Sequence, residues 1–161
     1  MENLENALGK YHNIKLKHVI PPVDVMPVVC YNDPIIKVME LLRSRHHVWV
    51  INCKEEGSLL GVIKYLSVID FLLPPDKHNL YIGSTRSALK SVIGGAKTAK
   101  EVMEKNALTI NHNSTVIDAL LKMKRYNVQI LAVLNDEERL IGEISLKILI
   151  DKFLSLCLAQ E

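Results

Sequence analysis

The sequence predicts a mixed α/β (α+β) fold assembled from two copies of one unit of about sixty residues. Three observations carry this. The stretches "LLGVIKYLSVIDFLL" (59–73) and "LIGEISLKILIDKFL" (140–154) are identical at six of fifteen positions, at an offset of 81 residues. In each copy a run of helical apolar spacing precedes two short apolar runs suited to strands. A chain of 161 residues holds two such small units, and neither buries much alone.

Taken in order, Leu4, Leu8 and Tyr11 fit one or two helical turns, expected to cover the first repeat. The expected division is a helical segment at 1–16, a first repeat at 17–73, a linker at 74–97 and a second repeat at 98–161. Each repeat should run extended segment, helix, strand, turn, strand, helix. The first helix of each is "DPIIKVMELLRSR" (33–45), with Asp33 as cap and Pro34 at its first position, or "STVIDALLKMKRY" (114–126), capped by Ser114. Strands follow at "VWVIN" (48–52) and "ILAVLN" (130–135), then second strands through Gly61 and Gly142. Aligning the first strands needs an offset of 83, so two-residue differences before the strand and in the turn "CKEEGS" cancel, as surface connections allow. The repeats close with helices "YLSVIDFLL" and "LKILIDKFL". The linker opens at Pro74 and Pro75, ends at Gly94 and Gly95, and suits a short helix over 84–93.

Composition narrows the function classes. Apolar residues are 48% and charged residues 24%, with no run of eighteen uncharged apolar residues, so a membrane span is not expected. The start "MENLENALGKYHN" lacks the pattern of a signal peptide, and a cytoplasmic protein is the expectation. A net charge of +2 with dispersed Lys and Arg offers no basic stripe for nucleic acid. Cys30, Cys53 and Cys157 form no C-x-x-C and are expected as three reduced thiols. His46 and His47 are adjacent and the other histidines scattered, against a metal site. Gly94 and Gly95 lack the Lys-Ser/Thr of a phosphate loop, and no G-x-S-x-G elbow occurs. An enzyme is not expected.

The glycine-centred strand pair, with a capped helix before it and an apolar helix after it, resembles the cystathionine-β-synthase (CBS) domain, which occurs as tandem pairs. The resemblance covers 17–73 and 98–154; "TAKEVM" (98–103), headed by Thr98, resembles the family's opening strand, and "HVIPPV" (18–23) departs from it. It implies a pseudo-twofold pair whose clefts between the repeats bind AMP, ATP or S-adenosylmethionine. It further implies a homodimer that regulates an effector protein on another chain and is not itself a catalyst.

Family members that bind nucleotides read Gly-apolar-apolar-Thr/Ser-x-x-Asp. A hydroxyl at a helix N-terminus donates to phosphate, and the carboxylate accepts from the ribose hydroxyls. Here "GEISLKI" keeps the hydroxyl as Ser145 but has Ile148 for the carboxylate, and "GVIKYLS" has Lys64 for the hydroxyl and Ser67 for the carboxylate. By the same resemblance Lys17, His18, His46 and His47 belong to the cleft of Lys64, where they would hold phosphates. Adenine would be read by backbone around Val48 and Leu131 and would stack on Val102 and Met103. Asp70 and Asp151 lie one turn beyond the expected carboxylates, and Trp49, equivalent to Ala132, suits core packing. Two functions follow: a stand-alone regulatory pair that senses an adenosine-type ligand or another anion, or a scaffolding module with degenerate pockets.

Overall fold

The computed structural model describes residues 2–72 and 97–159. The helices are α1 (Glu2–His12), α2 (Ile35–Leu42), α3 (Ile69–Leu72), α4 (Ala99–Val102), α5 (Val116–Tyr126) and α6 (Leu146–Leu158). The expected linker helix at 84–93 lies outside the described residues.

Each repeat builds one three-stranded sheet. Strands β1 (Val28–Cys30), β2 (His47–Asn52) and β3 (Ser58–Lys64) lie in that order; β4 (Thr109–Asn111), β5 (Ile130–Leu134) and β6 (Leu140–Ser145) repeat it. The extended segments expected ahead of the helices are β1 and β4. Each runs parallel to its neighbour, Val28 opposite Trp49 and Thr109 opposite Ala132. A parallel pair needs a crossover, which α2 and α5 supply. The antiparallel pair that follows carries a bulge at the same place in both copies. Val50 faces Gly61 and Ile51 faces Leu59, while Val133 faces Gly142 and Leu134 faces Leu140. Leu60 and Ile141 are thus the extra residues, and both copies bend their second strand alike.

Local chemistry shifts the expected helix starts by one residue. Thr115, not Ser114, caps α5, because its N–H and hydroxyl both donate to the Asp118 carboxylate at 2.9 and 2.8 Å. Those bonds hold the Asp118 carboxyl below its usual range. Pro34 occupies the cap position of α2, and the Asp33 carboxylate instead accepts the Cys30 N–H at 2.8 Å and pairs with Lys37 at 2.8 Å. The closing helix of the first repeat is a 3-10 turn (Tyr65–Val68) continued by α3. "TAKEVM" is not a strand. The Thr98 N–H donates to the Glu101 carboxylate at 2.6 Å, a capping box that winds the segment into α4.

The chain folds as two units, Met1–Met26 with Leu108–Glu161, and Pro27–Ala107. Leading segments are therefore exchanged: 14–20 lies with the second repeat and 97–104 with the first. The reason is a matched set of backbone hydrogen bonds. The Leu16 N–H donates to Ser114 O, Lys17 N–H to His112 O, and Val116 N–H to Ile14 O. The Ala99 N–H donates to Asp33 O, Lys100 N–H to Tyr31 O, and Ile35 N–H to Lys97 O. Leu16 and Ala99, both fully buried, occupy equivalent places in the two cores.

Helix α1 does not cover the first repeat, as expected from sequence; it packs on α5 and α6 of the second. Tyr11 meets the Phe153 ring edge-on at 5.3 Å, and its hydroxyl donates to the Leu149 carbonyl at 2.7 Å. Burial raises the Tyr11 phenol above its ordinary value. Tyr11→Phe removes the donor and should cost about 1 kcal/mol in urea unfolding. In the wild type, stability linked to the neutral phenol is fully present below the unfolded tyrosine pKa, about 10, and is lost as pH rises through the raised folded value. Tyr11→Phe should remove that alkaline loss.

The cysteine expectation is also corrected. Cys30 and Cys53 form a disulfide with Cα atoms 5.5 Å apart, and Cys157 is free. Cys30 faces Ile51 across the β1/β2 ladder, so Cys53, two residues on, falls on the same side of the sheet within bonding reach.

Candidate functional site

In the unit Pro27–Ala107, the start of β2 brings His47 and Val48 opposite the end of β3, which brings Lys64 with Ser67 in the following turn, and the segment 98–104 reaches β3 with Met103 and Glu104. Thr98, at the start of that segment, pairs with Pro34 beyond the end of β1 and is not brought to Lys64. This segment acts as a strap over β3. Val62 N–H donates to Glu104 O at 3.0 Å and Glu104 N–H to Val62 O at 2.9 Å. Gly61 permits the approach: a Cβ there would stand 2.5 Å from Glu104 O and 2.9 Å from Met103 Sδ.

Lys64 projects from the strand end half-exposed, and its ammonium meets the Glu104 carboxylate at 2.9 Å. His47 stands opposite Lys64 in the ladder, its ring 5.0 Å from the Trp49 indole. Trp49 is buried at 2% exposure, in keeping with the packing role expected for it. His46 lies edge-on to Tyr65, and its carbonyl accepts the Tyr65 N–H at 2.7 Å. Val48 is fully buried and belongs to the core. The Trp49 N–H points to Pro27 O on the β1 side, so backbone alternation turns the groups of His47 that way, past the end of β1, and those of Val48 toward β3.

The other unit holds the remaining residues. Lys17 and His18 are exposed on a 3-10 turn beside β4, with Ser145, Ile148 and Leu131. The family resemblance groups Lys17 and His18 with Lys64; the exchange of leading segments puts them in different units. Ser145 caps α6, its hydroxyl oxygen accepting the Ile148 N–H at 3.2 Å, which leaves the hydroxyl proton for another acceptor. Ile148 packs against the apolar core. Leu131 is fully buried and, by the same alternation, it is Ile130 that turns its backbone to the β4 side. Asp151 is exposed on α6 and Asp70 lies within α3.

Two groups of residues were missed. Val19 and Ile20 occupy the places of Val102 and Met103, and Ile20 lies over Gly142 as Met103 lies over Gly61. The signal was present as "HVI" against "EVM" at the offset of 83. Glu104 was missed because nothing in local spacing links it to Lys64. Its counterpart is Pro21, which has no N–H to give β6, so the two straps are pinned differently.

Among the described residues no group of three or more His, Cys, Asp or Glu is placed to hold a metal ion. No helix among them is long and apolar enough to cross a membrane.

Comparison with known proteins matches the fold. The family model described as "CBS domain" matches residues 16–74 and 99–155. An uncharacterised protein of Methanocaldococcus jannaschii is 26% identical over 100 residues, covering 60% of this chain and 35% of that protein, so the match spans about a third of the relative's length. Among solved structures, CbpB in complex with c-di-AMP superposes with a TM-score of 0.73 at 19% identity, covering 99% of this chain and 97% of the other. The CBS domain of a bacterial CNNM/CorC family Mg2+ transporter in complex with ATP gives 0.69 at 13% identity, covering 95% and 96%. With two matched regions over most of its length and a duplicated sheet-and-helix unit, the chain belongs to the CBS domain family and carries two tandem copies.

Proposed function

We propose that this chain is a regulatory CBS pair that binds an adenosine-type nucleotide beside the strap of each unit and signals to an effector protein. It acts as a homodimer and not as a catalyst. The observation that carries the reading is the convergence, in one unit, of an ammonium at a strand end (Lys64), an overhanging strand start (His47) and an apolar strap (Val102, Met103). The two similar solved structures, one in complex with ATP and one with c-di-AMP, support the ligand class.

The site chemistry gives a charge preference. A phosphate must compete with Glu104 for Lys64, and that competition favours ligands of higher charge and weakens with salt. The second unit has Ser145 to donate but Ile148 in place of a carboxylate. Losing a charged hydrogen bond to ribose lowers affinity by roughly one to two powers of ten.

Calorimetric titration tests this. ATP should bind more tightly than AMP. Lys64→Ala should lower ATP affinity about tenfold and AMP affinity less, Glu104→Gln should raise ATP affinity, and Ser145→Ala should change either little. Equal binding of AMP and GMP would replace adenine recognition by generic phosphate capture. Absence of heat with ATP, AMP and S-adenosylmethionine would favour the second reading, a scaffolding module, for which the packing of Ile148 into the core speaks.

A further inference from the structure

We propose that Cys30 and Cys53 form a reversible thiol–disulfide exchange site, with a dithiol reductant as substrate, that sets how firmly the 97–104 strap is held.

The bond ties the end of β1 to the turn after β2 and closes a span of 23 residues that contains α2. Cys53 is exposed and Cys30 half-buried, so an incoming thiolate has a sulfur to attack. Cys30 also opens the turn that carries the strap. Tyr31 O and Asp33 O accept from Lys100 and Ala99, Ile35 N–H donates to Lys97 O, and the Asp33 carboxylate accepts the Cys30 N–H itself. A change in the freedom of Cys30 therefore reaches the residues that lead to Thr98, Val102 and Met103.

The second repeat shows what the tie does. At the positions equivalent to Cys30 and Cys53 stand Asn111 and Asp136, and the Asn111 amide donates to the Asp136 carboxylate at 3.0 Å. Both repeats thus fasten the same two points. One uses a hydrogen bond that no reductant can open, the other a covalent bond that a reductant can.

The chemistry balances. A thiolate of the dithiol attacks Cys53 Sγ, the S–S bond breaks, and Cys30 leaves as a thiolate that takes a proton. The second thiol of the reductant then displaces Cys53 from the mixed disulfide. Two electrons pass to the protein, the cystine becomes two thiols, and the dithiol becomes a disulfide. A disulfide oxidant reverses the exchange.

The site goes beyond the nucleotide reading, and its first test uses no nucleotide. The full chain is prepared in air and alkylated before and after dithiothreitol; one thiol, Cys157, should label before and three after. Hydrogen exchange of amides 97–104 should accelerate about tenfold on reduction, and the melting temperature should fall by about 5–10 °C. Cys53→Ser should behave as the reduced protein. The double variant Cys30→Asn, Cys53→Asp, which transplants the tie of the second repeat, should restore protection and ignore dithiothreitol. Three thiols labelling in the air-prepared protein, or identical exchange at 97–104 in both redox states, would overturn the proposal. Nucleotide titration of the two states, run separately, shows whether the nucleotide reading holds.

Discussion

Gly61→Ala should destabilise the protein by about 2–4 kcal/mol, whereas Gly142→Ala should change stability by less than about 1 kcal/mol. The two glycines are equivalent by sequence, and neither has a positive φ, so alanine is conformationally admissible at both. They differ in what a methyl group meets. At Gly61 it would stand 2.5 Å from the carbonyl oxygen of Glu104, a backbone atom held by two hydrogen bonds to Val62. The strap must lift, those bonds weaken, and the Met103 side chain must move as well. At Gly142 the nearest atoms all belong to the Ile20 side chain, Cδ1 at 3.0 Å and Cβ at 3.3 Å, with no backbone atom among them, and Pro21 has no N–H to fasten a second bond there. A small shift relieves the contact, and the gain from restricting the unfolded chain offsets much of the cost. Thermal unfolding should show Gly61→Ala lower by about 5–10 °C and Gly142→Ala near wild type. Equal, small shifts for both would mean that the 97–104 strap does not lie on β3.

The contrast also marks how much the sequence could say. The repeat, the order of elements within it and the helical faces were legible because each is local: an offset near 81, a spacing of three to four, a glycine between apolar runs. The exchange of leading segments was not. Leu16 and Ala99 are each a single residue that fits a core, and nothing in their neighbours states which sheet receives them. The capping box that winds 99–102 into α4 is written in Thr98 and Glu101, whereas the family resemblance implies a strand there. Site residues followed the same division. His47, Lys64 and Ser67 belong to one stretch of chain and fall in one unit, whereas Lys17 and His18 fall in the other because they travel with the exchanged segment. The partnership of Lys64 with Glu104 spans forty residues and has no sequence signature. The disulfide was missed because Cys30 and Cys53 become neighbours only through the β1/β2 register.

The double substitution Ile150→Glu, Leu154→Glu should raise the dissociation constant of the proposed homodimer by about 100-fold or more, equivalent to roughly 3 kcal/mol or more. Helix α6 has two apolar faces, and one of them is already used. Leu149 is fully buried, with Ile148, Phe153 and Leu156 packed against the same core. Leu146, Ile150, Leu154 and Leu158 form a second stripe at four-residue spacing, exposed by 38, 50, 50 and 68%. A surface helix needs a single apolar stripe, and a second one marks a contact surface. On α5 of the same unit, Ile117 and Leu121 are exposed as well. A second copy of the chain is the partner that needs no complementary charge: the stripe is uncharged, and a twofold axis sets like against like. In such an interface each introduced glutamate is present twice, so repulsion and desolvation add. Light scattering across micromolar concentrations should give a dimer for wild type and a monomer for the variant, with unchanged circular dichroism showing that the buried face of α6 is intact. The same mass for both would place the interface elsewhere, and a monomeric wild type would remove the dimer altogether.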